Sequence, residues 1–266
     1  MNAIERNRYT DAWRAFGAGL RRPRAVLVIS AHWYIQATAV TAMARPHTIH
    51  DFYGFPPELF AFEYPAPGDA WLAEAVADAA QPVWVGADHD SWGLDHGTWS
   101  VLAHIFPEAN VPVVQLSIDA LKPLDYHFDL GARLAPLRRQ GVLILGSGNV
   151  VHNLGRLDGS RPDTGFDWAQ RFDEAVRAAM TGAPDDVLVA AEHRDFRSAV
   201  PTPEHFIPVA YIAALAAEAN QEAKVLVDGY TYGSLSMTSY VVEEGAMTVL
   251  PQDTRPGEGP ETHPNV

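Results

Sequence analysis

Along this chain, short apolar runs rich in β-branched residues alternate with stretches where apolar residues return every three or four positions. The first pattern predicts strands and the second amphipathic helices. Their alternation predicts an α/β fold, a single domain with a mixed or mostly parallel central sheet flanked by helices. Residues 10–20 place Trp13, Phe16 and Leu20 at helical spacing, with Thr10 or Asp11 as the cap. Residues 25–30 (Ala-Val-Leu-Val-Ile-Ser) form the first buried strand and deliver His32 at its end. An extended run at 37–43 follows. Segment 45–69 is irregular and rich in Pro, Gly and aromatic rings, the composition of a lid or binding wall. Residues 70–80 read as a helix, 83–85 as a short strand, 100–106 as a helix, 111–118 as a strand ending at Asp119, and 126–139 as a helix.

The organising stretch is Val-Leu-Ile-Leu at 142–145, read as a central strand buried on both faces. Gly146-Ser147-Gly148-Asn149 then turns the chain out of the sheet and carries His152 with it. Helices are expected at 168–180 and 207–217, and extended segments at 224–227 and 234–242, the latter completing the sheet. Residues 1–250 read as one catalytic domain. The proline-rich segment 251–266 reads as a disordered tail.

Composition narrows the chemistry. The 266 residues carry a formal net charge of −14, which disfavours nucleic acid and anionic membranes as partners. No cysteine is present, so disulfides, thiolate nucleophiles and cysteine-bound metals are excluded. No apolar run is long enough to span a bilayer and no signal-peptide pattern opens the chain, so a cytoplasmic enzyme is expected.

The candidate chemistry lies in histidines at element ends. His32 and His152 follow strands, and His205 follows the stiff Pro201-Thr202-Pro203-Glu204 approach to a helix. His96, in Trp92-Gly-Leu-Asp95-His96-Gly-Thr-Trp99, stands where a helix starts and free amides attract anionic oxygen, with Asp95 as an alternative cap. His47 and His50, in a proline-flanked segment, rank lower as ligands. Several imidazoles without thiolates suit a first-row divalent metal. A zinc hydrolase of amides or esters and a non-catalytic protein with a damaged metal site are the competing classes.

A resemblance sharpens this. Val-Ile-Ser-Ala-His32-Trp, Thr-Ile-His50-Asp-Phe, Tyr64-Pro-Ala-Pro-Gly, the His96 motif, Val114-Gln-Leu-Ser-Ile-Asp, Gly-Ser-Gly-Asn-Val-Val-His152-Asn-Leu, Pro201-Thr-Pro-Glu-His205 and Gly233-Ser-Leu-Ser-Met occur in this order. Together they resemble the DOPA 4,5-dioxygenase type of class III extradiol ring-cleavage dioxygenase. The resemblance implies ring opening of a DOPA-like catechol by O2, and one Fe(II) or Zn(II) per chain. It implies His32, His152 and His205 at the metal, with His152 as ligand or acid/base and His96 facing the substrate. It also implies a short strand ending in Gly-His-Gly-Ser-Pro ahead of Met1, with one more ligand, pairing near residues 25–30. The chain as written starts after that point, so weak metal binding and poor turnover are expected of it. Oligomeric state is not indicated.

Overall fold

The computed structural model describes residues 3–243; the predicted tail at 251–266 lies outside them. The elements in chain order are α1 (Arg8–Gly19), β1 (Ala25–Ile35), β2 (Ala39–Thr41), α2 (Pro57–Phe60), α3 (Ala70–Ala80) and β3 (Gly86–Asp88). They continue with α4 (His96–Ile105), β4 (Val113–Asp119), α5 (Leu124–Leu134), β5 (Val142–Ser147), α6 (Asp167–Met180) and α7 (Phe196–Ala199). Last come α8 (Ile207–Glu218), β6 (Lys224–Val227), β7 (Tyr230–Thr231), β8 (Leu235–Ser236) and β9 (Ser239–Val241). Five strands form the central sheet in the order β3-β2-β4-β1-β5. All neighbours are parallel except β2 and β4, giving the mixed, mostly parallel sheet that the sequence predicts.

β1 sits at the centre of the hydrophobic effect. Ala25, Leu27 and Ile29 face a core shared with Leu72 and Val76 of α3, Leu130 and Leu134 of α5 and Tyr211 of α8. Val26 and Val28 face the opposite core, with Trp99 and Leu102 of α4 and Tyr64 of the long loop. The two-residue period therefore feeds two cores, and burying each large aliphatic side chain contributes about 1.5–3 kcal/mol.

Several expectations shift. The cap of α1 is Asn7, whose side chain accepts from the Thr10 backbone while the Thr10 hydroxyl accepts from Asn7, so Thr10 is a partner in a capping box and the helix starts earlier. The short strand predicted at 83–85 forms instead at β3, where it pairs in parallel with β2. The helix predicted to 139 changes at Ala135 into a 3-10 turn, with Pro136 near its start. Residues 234–242 do not complete the central sheet. They form β8 and β9, which pair with β7 and β6 in separate two-stranded sheets.

The largest correction concerns residues 142–145. β5 is an edge strand rather than a central one, and Leu143 and Leu145 are only half-buried. An apolar run bounded by glycines cannot by itself distinguish an inner strand from an outer one. β1, near which a further strand was expected to pair, has both neighbours filled by β4 and β5. The open side of β5 faces a groove of about 1170 Å³ walled by Trp13, Phe16, Val101, Ile212, Leu226 and Tyr240.

Candidate active site

The site lies where β1, β5 and the turn before α8 meet the start of α4. His32 lies inside β1 and not at its end, where the parallel register with β4 shifts between Ile29 and Tyr34. His96 is the first residue of α4. Asp95 caps the helix by accepting from the Thr98 backbone, so the capping role and a place for His96 in the cluster coexist.

Asp95 is fully buried and also accepts from Ser30 of β1 at 2.7 Å and from the Gln115 amide of β4 at 2.7 Å. A buried carboxylate with this many donors is satisfied and rigid, so it fixes α4 against the sheet.

The rings come together. His32 and His96 have centroids 3.9 Å apart, and His32 and His205 stand edge-on at 5.2 Å. His152 and His205 lie face to face at 3.5 Å. His152 is held by strand-like bonding to Leu235 and by its backbone N–H to the Ala199 carbonyl. The His205 Nδ1 is 3.3 Å from Asn149 Oδ1 in the glycine turn after β5. Close approach requires those glycines: a Cβ at Gly148 would fall 2.3 Å from the His205 carbonyl oxygen, and one at Gly97 2.7 Å from His32 Cδ2.

His47 and His50 do not join the cluster. The His50 Nε2 bonds the Phe62 carbonyl at 2.8 Å and so anchors the long loop. His47 packs beside Gly93 on that loop.

Asp51 is a member that the site reading did not include. One carboxylate oxygen is 3.0 Å from His32 Nδ1, and the other is 2.9 Å from His96 Nδ1 and 3.0 Å from the His96 backbone nitrogen. Its only sequence signal was its place after His50 in the Thr-Ile-His-Asp-Phe motif. His32, Asp51 and His96 could together hold a metal ion by proximity. The distances equally suit a carboxylate accepting from two imidazole N–H groups, with His96 Nδ1 bonded to one oxygen and His32 Nδ1 3.0 Å from the other.

Electrostatics divide the histidines. Burial pushes His152 down to about 4, helped by His32 and opposed by Glu204. Burial, followed by the neighbouring imidazoles, holds His205 well below the ordinary histidine range. Burial also disfavours charge on His32, but the Asp51 hydrogen bond and the charges of Asp95, Asp51 and Glu204 lift it above its ordinary value. Burial of Asp51 is outweighed by hydrogen bonds from His32 and His96, so its carboxyl lies well below the usual range. His152 and His205 are therefore neutral rings with lone pairs available near pH 7. Phe52 meets His96 edge-on at 5.3 Å and packs against Phe55 and Phe60, forming an aromatic wall beside the imidazoles.

Residues 5–243 match the family described as the catalytic LigB subunit of aromatic ring-opening dioxygenase. The chain belongs to this family. It is 42% identical over 243 residues to 4,5-DOPA dioxygenase extradiol of Escherichia coli K12, covering 90% of this chain and 89% of that protein. It is 36% identical over 239 residues to 4,5-DOPA dioxygenase extradiol of Beta vulgaris, covering 88% and 87%. A crystal structure of an uncharacterized protein from Escherichia coli K12 superposes with a TM-score of 0.78 at 38% identity, over 89% of this chain and 93% of that one.

This LigB-family chain is thus a class III extradiol, metal-dependent aromatic ring-opening dioxygenase of the DOPA dioxygenase type. That assignment sets aside the zinc hydrolase. No helix among the described residues is long and apolar enough to cross a membrane.

Proposed function

We propose that this dioxygenase opens a DOPA-like catechol with O2, using one Fe(II) held by His32 and His205 with His152 beside them. The single observation that carries this reading is the convergence of three imidazoles from distant segments on His205, whose ring lies 3.5 Å from that of His152 and 5.2 Å from that of His32. The donor set fits a first-row metal: neutral nitrogen ligands without thiolates, two of the rings kept uncharged by burial. When bound, iron supplies a docking point for both catechol oxygens, lowers the pKa of the second hydroxyl and carries electrons toward dioxygen. Zinc cannot supply the redox part, so a zinc-filled site would not cleave the ring.

The protein's own residues do the rest. His152, neutral at pH 7, accepts the proton of the substrate hydroxyl. His96 faces the substrate through Nε2 and, after taking up a substrate proton there, stabilises negative charge that develops on oxygen. The wall of Phe52, Phe55 and Phe60 orients a flat ring and excludes water.

Residues 1–250 act as one catalytic domain in this reading. The 42% identity to a protein named for DOPA supports the choice of catechol. The test is oxygen uptake with DOPA and with simpler catechols after reconstitution with Fe(II) or Zn(II). Ring-opened product is expected with iron only. Turnover of other aromatic rings but not of catechols would overturn the substrate, and equal activity with zinc would overturn the metal.

A further inference from the structure

Asp51 sits on the long loop and touches both an imidazole assigned to the metal and one assigned to the substrate. We propose that Asp51 is a positioning residue that locks His32 and His96 in the same tautomer, each with its proton on Nδ1 and its lone pair on Nε2. The inference rests on the reading of His32 as a ligand and adds what makes that nitrogen available.

The argument is one of donors and acceptors. An ionised carboxylate accepts only, so any ring nitrogen bonded to it must carry a hydrogen. His32 Nδ1 and His96 Nδ1 lie 3.0 and 2.9 Å from opposite oxygens of Asp51, both at charge-assisted hydrogen-bond distance. A neutral imidazole protonated at Nδ1 presents a bare Nε2, the state a metal ligand or a proton acceptor needs. The rings also pack against each other at 3.9 Å, so neither turns without disturbing its neighbour.

The two oxygens are not equivalent, which makes the inference specific. The oxygen toward His96 accepts twice, from the ring and from the backbone N–H at 3.0 Å. The oxygen toward His32 has one partner, His32 Nδ1 at 3.0 Å. An asparagine in this place must keep its carbonyl toward His96, because a backbone N–H cannot become an acceptor. Its NH2 then points at His32 and donates. His32 must answer with a bare Nδ1, which moves its proton to Nε2 and removes the lone pair from the metal side. Asp51→Asn is therefore a change directed at His32 that leaves His96 as it was.

The experiment is long-range proton–nitrogen NMR correlation on the metal-free full chain at alkaline pH, with His32→Gln and His96→Gln to assign the signals. Zn(II) affinity is measured by competition titration alongside. In the native protein both rings are expected to carry hydrogen on Nδ1. In Asp51→Asn, His32 is expected to change to the Nε2–H form while His96 does not, and Zn(II) affinity to fall about tenfold to a hundredfold, the usual effect of losing a group that orients a ligand. A native His32 protonated on Nε2, or an unchanged His32 in Asp51→Asn, would overturn the proposal. The native spectrum alone decides if the variant does not fold. His32→Ala separates the two readings: unchanged Zn(II) affinity there would remove His32 as a ligand, while the tautomer spectra would still judge Asp51.

Discussion

His152 and His205 stack with their rings 6° from parallel and 3.5 Å apart, although 53 positions separate them in the chain. Face-to-face contact at this distance is favourable only while at least one ring is uncharged, and burial keeps both from taking a proton near neutrality.

Replacing His152 by alanine removes the proposed proton acceptor while leaving the core in place, since the ring is only partly buried beside the glycine turn. Ring cleavage by the Fe(II)-reconstituted protein is expected to drop by about a hundredfold to ten-thousandfold, the usual contribution of a general base. Circular dichroism and thermal melting should match the parent. Retained turnover would move the proton acceptor elsewhere.

Gly97→Ala tests how tightly α4 is pressed on β1. The added methyl would stand 2.6 Å from Ser30 Oγ and 2.7 Å from His32 Cδ2, so both side chains must give way. A loss of metal affinity that exceeds the loss of stability is expected, read by titration and by chemical denaturation. Unchanged metal affinity would show that the His32 ring yields without cost.

Asp95→Ala should cost stability first. It deletes the cap of α4 and leaves Gln115 and Ser30 without their buried acceptor. A cap is worth about 1 kcal/mol and each stranded buried group about 1–3, so a loss of roughly 3 kcal/mol or more is expected in denaturant melts. A change below 1 kcal/mol would mean that water replaces the carboxylate.

His127, fully buried and bonded through Nδ1 to the Tyr211 hydroxyl at 3.0 Å, gives a pH signature away from the site. Burial lowers it from 6.5 to about 4. The unfolded chain takes up this proton at the ordinary value and the folded chain only near 4, so the unfolded state binds more protons in between. Its stability contribution is whole above pH 6.5 and is lost as pH falls toward 4, by roughly 3 kcal/mol at most. His127→Gln should flatten the stability profile of the metal-free protein across that window. An equally steep profile in the variant would assign the slope to the site histidines instead.

Much of this was legible in the residues because periodicity reports burial. The alternation of β1 and the helical spacing of α3, α6 and α8 were visible as patterns, and the helix at Ala70–Ala80 has the predicted bounds. The edge position of β5 was not, because apolar content shows that a strand is covered but not by what. The small sheets of β6–β9 and β7–β8 were also hidden, since pairing partners depend on tertiary placement. In the site, the histidines stood out as a rare residue type at element ends, and the structure brings His32, His96, His152 and His205 together. Asp51 escaped because an aspartate in a loop is ordinary; only a third dimension shows one carboxylate reaching two rings 45 and 19 positions away.

The adjacency of Asp51 and Phe52 on one loop has a mechanical result. Phe52 belongs to the aromatic wall, and Asp51, its immediate neighbour, grips both imidazoles. That wall cannot swing outward by more than a hydrogen-bond length without pulling the carboxylate off His32 and His96. Admission of a bulky ring and the setting of the imidazoles are therefore one latch, and an enlarged doorway would come at the expense of a slackened grip.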